Sequence, residues 1–362
     1  MKALIQLSAG LAVAAAVMST PANAMSTLTG ETACAGGAPG TMVITLGEQL
    51  AAKGIANLQV QDCQTLTNSL QNLVEGKTDV AAAPFILPFL MSRGAGPYAK
   101  MGKETGAELI QNARMLYTYR FGIFALYAYD SSPVKGWGDL EGKRVLNGPP
   151  RGGALSNARQ IIKLATGLDD GEGYEGVQLN WGQMPQAIAD NTADAMVLPS
   201  YFPDTRITRA LSAGSVSLWG IPQELFDGEA FQKYSRAPGS GGMIVDVADF
   251  GEQPGLTIVG DADGKLRSIA TVGGDMVHKD LDFETAKAMT AAMIENFDAI
   301  VQKAPFMRFS GFGDLDPAVA STCGPNPLKY HPGAIATSGS ASTRYCFTGA
   351  FRARFRLKDT HG

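Results

Sequence analysis

Four cysteines, three histidines and three tryptophans are all that the 362 residues contain of these types. With only His278, His331 and His361, and no Cys-x-x-C, the chain has no ligand set for a structural zinc site. The Gly-x-Ser-x-Gly elbow and His-Glu-x-x-His are both missing. Asp261-Ala262-Asp263-Gly264 lacks the third acid and distal glutamate of a calcium loop, carrying Lys265 and Val272 instead. A basic excess is lacking too: the formal net charge is −4. Nucleic-acid binding, which needs a basic stripe, is therefore not expected. No cofactor and no catalytic residue is indicated.

Long apolar runs are absent except at the start, where Ala3 to Val17 is apolar and small but short of the ~20 residues of a membrane span. Lys2 precedes it, and Ala22-Asn23-Ala24 has the small-x-small form of a leader-peptidase site. Residues 1–24 read as a signal peptide, with Met25 as the mature amino terminus. No cysteine follows the cleavage site, so release into the periplasm of a Gram-negative cell without a lipid anchor is expected. The remainder is long enough for two lobes with cores of their own.

In an oxidising compartment four cysteines allow three pairings. Closeness in sequence favours Cys34 with Cys63 and Cys323 with Cys346. The tail alternates Arg352, Arg354, Arg356 and Lys358 with Phe351, Phe355 and Leu357, a pattern that suits a half-buried terminal strand.

Strand-like and helical stretches alternate from Leu28: a strand to Glu31, a helix over Pro39–Lys53, a strand over Leu58–Gln61, a helix over Leu66–Val74 and a strand over Val80–Ile86. This order means parallel pairing and right-handed crossovers. A second series runs through Val145–Asn147, Leu155–Thr166, Val177–Trp181, Gln183–Asp190, Ala195–Leu198, Asp204–Ser212 and Ser215–Trp219. Asp79-Val80-Ala81-Ala82-Ala83-Pro84 is echoed by Asp194-Ala195-Met196-Val197-Leu198-Pro199. If the echo is structural, Pro84 and Pro199 end equivalent strands at their carboxyl ends, where open α/β sheets bind ligands. A crossing strand is expected near Arg120–Phe124, a break at Arg236–Gly242, a hairpin turn at Asp263-Gly264 and a returning strand at Leu266–Val272. The last long helix, Phe283–Val301, is capped by Asp282.

The stretch Leu146 to Ser156 (Leu-Asn-Gly-Pro-Pro-Arg-Gly-Gly-Ala-Leu-Ser) reads as a strand passing through a glycine-rich turn into a helix. Unpaired N–H groups at such a helix start suit a small anion, and the same chemistry also serves an ordinary tight loop. Arg151 beside it offers a fork of charged donors. Helix starts at Thr41, Thr65 and Gly152 would each favour a negative group by ~0.3 to 1 kcal/mol. Thr41, Thr65, Thr67 and Ser156 can give hydroxyl donors or serve as helix caps. Tyr201 either shapes the cleft or is a surface turn aromatic.

Asp139-Leu140-Glu141-Gly142-Lys143-Arg144-Val145, then Gly148 to Gly153, then Asp194, then His331-Pro332-Gly333-Ala334-Ile335 together resemble the TAXI type of TRAP-transporter solute-binding protein. The resemblance implies an α/β fold of the type II periplasmic binding-protein kind, two α/β lobes with a ligand cleft between them. Lobe I would take residues 25–120 and return over 241–362 with a C-terminal extension; lobe II would take 121–240. It also implies capture of a small organic anion or amino acid for the membrane subunits of an ion-gradient-driven TRAP permease. The family's solute loops fall on Gly36–Thr41, Gln61–Thr67 and Gly148–Gly153; with Ser156 at the helix start and Pro84, Pro199 and Tyr201 at the echoed strand ends, the candidate ligand-binding residues are Thr41, Thr65, Thr67, Pro84, Arg151, Gly152, Gly153, Ser156, Pro199 and Tyr201. Met42 and Val43 stand where the family commonly has aromatics, and Asp62-Cys63-Gln64-Thr65-Leu66-Thr67 replaces its usual Ser-Thr-Gly-Gly-Ser turn. His331 reads as structural. Competing readings keep the fold but serve an ATP-driven importer or a periplasmic sensor, or lose solute binding; an enzyme fits least.

Overall fold

The computed structural model describes residues 25–313 and 328–337, apart from residues 191 and 203. The expected signal peptide, the Cys323–Cys346 pairing and the alternating tail lie outside the described residues. The first elements follow the apolar pattern: β1 (Ser26–Glu31), α1 (Ala38–Ala52), β2 (Ala56–Gln61), α2 (Leu66–Val74) and β3 (Val80–Pro84). Two short helices, α3 (Ile86–Ser92) and α4 (Lys103–Leu109), lead to the 17-residue β4 (Ala113–Tyr129). Next come β5 (Arg144–Gly148), α5 (Gly153–Thr166), β6 (Glu175–Gln178), α6 (Met184–Ala189), β7 (Ala195–Ser200), α7 (Thr205–Ala213) and β8 (Val216–Trp219). Then α8 (Gln223–Phe226), α9 (Glu229–Tyr234), β9 (Ser240–Asp246), β10 (Leu256–Val259) and β11 (Lys265–His278) complete the middle of the chain. The last described elements are α10 (Phe283–Glu295), α11 (Phe297–Lys303), β12 (Lys329–Tyr330) and α12 (Pro332–Thr337).

One sheet runs in the order β2-β1-β3-β11-β4-β7-β5-β6. At one end β1 pairs parallel with β2 and β3, and at the other β5 pairs parallel with β6 and β7. The long strands β4 and β11 join the ends, antiparallel to each other and to their other neighbours β7 and β3. Along β4, pairing with β11 stops at Ile123 and pairing with β8 begins at Leu126. Two register shifts in the β4/β11 ladder, between Thr271 and Val272 and between Asp275 and Met276, fall in this crossing region. Bulges of this kind bend and twist strands. The mixed α/β architecture with a sheet half at each end is the one expected.

The short echo has a physical basis. Asp79, just before β3, accepts from the Thr29 backbone N–H at 2.8 Å and the Thr29 hydroxyl at 3.0 Å, tying β3 to β1. Asp194, just before β7, accepts from the Arg144 backbone N–H at 2.9 Å and from its guanidinium at 2.8 Å, tying β7 to β5. Each aspartate fixes the start of one parallel strand to its neighbour; Pro84 ends β3 as expected, whereas β7 runs past Pro199 because Ser200 still pairs with Ile123 of β4.

The structure alters several expectations. The helix over Phe283–Val301 is two helices: Asn296 stops α10, its amide donating to the Ala292 carbonyl at 2.8 Å. The strand expected to Trp181 ends at Gln178 because the Asn180–Gln183 segment turns, with Gln183 N–H donating to Asn180 O. Asp263-Gly264 does form a tight turn, Gly264 N–H reaching Asp261 O, but no hairpin results. The preceding strand β10 pairs parallel with β8, and β11 takes β9 as its antiparallel partner.

Candidate functional site

The carboxyl ends of β1, β3, β5 and β7 point toward a seam between the two ends of the sheet. The loops that follow them meet there. A Cβ built on Gly152 would lie 3.2 Å from Thr67 Oγ1, and one built on Gly153 would lie 3.2 Å from Ile86 Cγ2 and 3.8 Å from Pro84 Cγ. Thr67 and Pro84 come from one half of the sheet and the glycines from the other, so four expected site residues are brought together. A second contact closes the seam, where a Cβ on Gly36 would lie 2.8 Å from Thr205 Cβ and closer still to its Oγ1. At Gly36 an added Cβ would force a shift, at Gly152 and Gly153 it would press on its neighbours, and at Gly36 and Gly152 the backbone also has positive φ, 90° and 109°.

A disulfide joins Cys34 to Cys63, as expected, and ties the loop after β1 to the loop after β2. Cys63 has φ of 56°, a left-handed conformation rare outside glycine. The Thr32 carbonyl accepts from Gln64 N–H and the Thr32 N–H donates to Gln61 O, so the two loops are also laced by backbone bonds. One wall of the seam is therefore fixed.

Four helices begin at this seam without a side-chain cap: α1 at Gly37, α2 at Thr65, α5 at Gly152 and the short α3 at Phe85. Their first N–H groups have no intrahelical partner. Thr41 is not one of these starts. It sits one turn inside α1, where its N–H donates to Gly37 O at 2.9 Å. The helix begins earlier because Pro39 fits the first turn, having no N–H to leave unpaired. By contrast α7 is closed by its own residue: Asp204 accepts from Arg206 N–H and Ile207 N–H at 3.0 Å each.

The other expected site residues fall differently. Arg151 is exposed and has no hydrogen-bond or ion-pair partner among the described residues. Ser156 is exposed and turns its hydroxyl to the Gly152 carbonyl at 3.2 Å. Pro199 pairs opposite Phe124 in β4, and its carbonyl accepts from Arg206. Tyr201 is buried rather than a surface turn aromatic, its hydroxyl 3.2 Å from the Arg120 carbonyl and its ring stacked near Phe306 and Phe309. It packs the crossing region beneath the seam.

Sequence reasoning passed over several polar groups. Glu31, the last residue of β1, is 8% exposed; its Oε1 accepts from Asn72 Nδ2 at 2.9 Å while its Oε2 is buried with no partner. Ser69 Oγ, in α2, and Thr32 Oγ1 are likewise buried and unpartnered. On the other side Arg206 pairs with Asp204 at 2.9 Å and lies over the Trp181 ring at 5.4 Å. Burial works against the Arg206 charge, but Asp204 and Tyr127 outweigh it and raise the guanidinium pKa.

Deeper in the crossing, Asp275 on β11 is fully buried and accepts from the hydroxyls of Tyr117 and Tyr119, both at 2.7 Å. Burial pushes its carboxyl up to about 7, against the two hydrogen bonds that lower it. His331 is structural: its Nδ1 accepts from Gly333 N–H at 3.2 Å, so Nε2 carries the proton given to the Leu281 carbonyl at 3.0 Å. Burial lowers its pKa. No helix among the described residues is long and apolar enough to cross a membrane.

Among solved structures, a TRAP periplasmic solute-binding protein from Desulfovibrio salexigens, in complex with diglycerolphosphate, is 12% identical. The match covers 86% of this chain and 89% of that one, with a TM-score of 0.46. An extracytoplasmic solute receptor from Bordetella pertussis that binds pyroglutamic acid is also 12% identical, over 88% and 94% of the two chains, with a TM-score of 0.43. The periplasmic aliphatic sulphonate binding protein of Escherichia coli matches at 12% identity over 82% and 88%, with a TM-score of 0.43. Those solutes belong to those proteins. Among curated proteins none matches in sequence. The NMT1-like family model matches residues 32–336, a span that runs from the loop after β1 to α12; this chain belongs to the NMT1-like family.

Proposed function

We propose that the protein is a periplasmic solute-binding receptor that captures a small organic anion or amino acid at the seam and hands it to a membrane permease. The observation that carries this reading is the meeting of the uncapped starts of α1, α2 and α5 where Thr67 of one sheet half faces Gly152 of the other. Each helix start favours a negative group by ~0.3 to 1 kcal/mol, and their free N–H groups give the hydrogen bonds. Lobe I would comprise residues 25–120 and 241–362, lobe II residues 121–240, closing about β4 and β11. Thr65, Thr67, Pro84, Gly152 and Gly153 would contact solute, with Arg151 swinging in as the charged contact; Thr41, Ser156, Pro199 and Tyr201 would support them. Closure follows only if solute binds the closed arrangement better than the open one.

The permease is of the TRAP kind on this reading, with the protein of the TAXI type, exported by residues 1–24. The alternating motifs quoted above support that assignment, and an ATP-driven importer is the second reading, since a docking face has no motif of its own. Catalysis has no support in the site, where among the described residues no hydrogen bond joins a nucleophile to a base. Native mass spectrometry of the gently purified mature protein tests the proposal. A small acid or amino acid held one to one and recovered chemically unchanged is expected. A chemically altered product, or no binding of any member of a carboxylate and amino-acid panel at millimolar concentration, would overturn it.

A further inference from the structure

We infer that the solute carries a protonated amino group, and that Glu31 receives it. The inference rests on the receptor reading and narrows its solute class from anions in general to zwitterions, α-amino acids foremost. Glu31 ends β1, the strand whose following loop forms one wall of the seam. Asn72 Nδ2 holds one of its oxygens at 2.9 Å, which fixes the carboxylate, and the other oxygen is buried with no donor. Ser69 lies one helical turn from Asn72, in the direction of the α2 start where Thr67 meets Gly152. Its hydroxyl is also buried and partnerless. The two orphan oxygens thus belong to elements that open on the seam, β1 at its carboxyl end and α2 at its start.

Burying a carboxylate oxygen without a donor is costly, and nearly all buried polar groups in folded proteins are paired. An ammonium brings three donors and no acceptor, the complement of oxygens without donors. A wholly anionic solute would meet repulsion from Glu31 at the same place. A zwitterion resolves both demands: its carboxylate lies at the helix starts of α2 and α5 and its ammonium at Glu31.

Isothermal titration of the mature protein with matched pairs tests this: glutamate against glutarate, alanine against propionate, leucine against 4-methylpentanoate. At least one amino acid is expected to bind, with its desamino partner weaker by roughly tenfold or more, the usual scale for a charge-assisted hydrogen bond. Glu31→Gln, which keeps the Asn72 contact, is expected to erase that preference. Desamino acids that bind as tightly as their amino acids would overturn the inference and leave the receptor reading standing. Absence of binding throughout both sets would instead overturn the receptor reading, and this inference with it. The wild-type comparison decides the matter even if Glu31→Gln fails to fold.

Discussion

Gly36 gives the sharpest handle on closure. It stands in the loop after β1, and a Cβ there would lie 2.8 Å from Thr205 Cβ, well inside the 3.4 Å of ordinary contact, with Thr205 Oγ1 nearer still. Thr205 opens α7 on the other sheet half, so on the receptor reading the clash would exist only in the closed form. Gly36→Ala acts twice. The left-handed backbone, φ 90°, costs an alanine roughly 1 to 2 kcal/mol in open and closed forms alike, which lowers the melting temperature by a few degrees and cancels from affinity. The steric term is confined to the closed form and has the size of an overpacked site, about 1 to 3 kcal/mol. Solute affinity should therefore fall roughly 5- to 150-fold. Titration calorimetry with the solute recovered by native mass spectrometry measures it. Adding Thr205→Ala removes Oγ1 and Cγ2 and should recover part of the loss, a non-additivity expected of residues in contact. Wild-type affinity in Gly36→Ala, or a double variant whose effects simply add, would refute the reasoning.

Arg151→Ala should leave the melting temperature unchanged, since Arg151 is exposed and unbonded, while solute affinity falls roughly tenfold as a charge-assisted bond is lost; unchanged affinity would remove Arg151 from the site. Reducing Cys34–Cys63, whose partners are 29 residues apart, should cost about 3.5 kcal/mol in the chain-entropy model, seen as a lower denaturant midpoint; an unmoved midpoint with both thiols free by mass would contradict it. Asp275 makes stability depend on pH. Its folded pKa, about 7, lies above the unfolded value, so its contribution is full at low pH and is lost as pH rises toward 7, at up to about 1.4 kcal/mol per unit. Asp275→Asn should flatten that slope in denaturation curves taken from pH 5 to 8, and an identical slope would exclude Asp275 as its source.

Much of the architecture was legible because apolar periodicity sets it. The strands and helices from Leu28 to Pro84 and from Val145 to Thr166 appear within a few residues of expectation, and the Asp79 and Asp194 echo marked two equivalent strands. The crossing strand was legible only at its centre. Met115 to Tyr129 is apolar on both faces because both are covered, so it carries no alternation to show how far β4 runs. The short helices α3, α4, α8 and α9 escaped because segments of four to seven residues hold too few turns to show a period.

At the site, glycines were the readable signal. Gly152 and Gly153 stand where the turn after β5 approaches Thr67 and Pro84, and the sequence pointed to them as part of a glycine-rich turn leading into a helix start. Threonines were less readable, because a hydroxyl near a helix start looks alike whether its residue stands at the N-cap position, as Thr65 does without its side chain capping, or lies a turn inside, as at Thr41. Tyr201 comes two residues after Pro199 and so resembled a turn residue, yet the crossing region folds over it. Glu31 was invisible for another reason: the partnerless state of its second oxygen depends on where α2 lands, a fact of tertiary packing alone.

The most direct measurement is hydrogen exchange of the mature protein with and without its recovered solute, read by mass spectrometry. Amide protection on solute addition is expected in four segments, 32–41, 61–67, 148–153 and 199–205, which form the two sides of the seam. Protection confined to other surfaces, such as the 280 Å³ cavity between Trp137 and Trp219, would contradict the seam as the binding site.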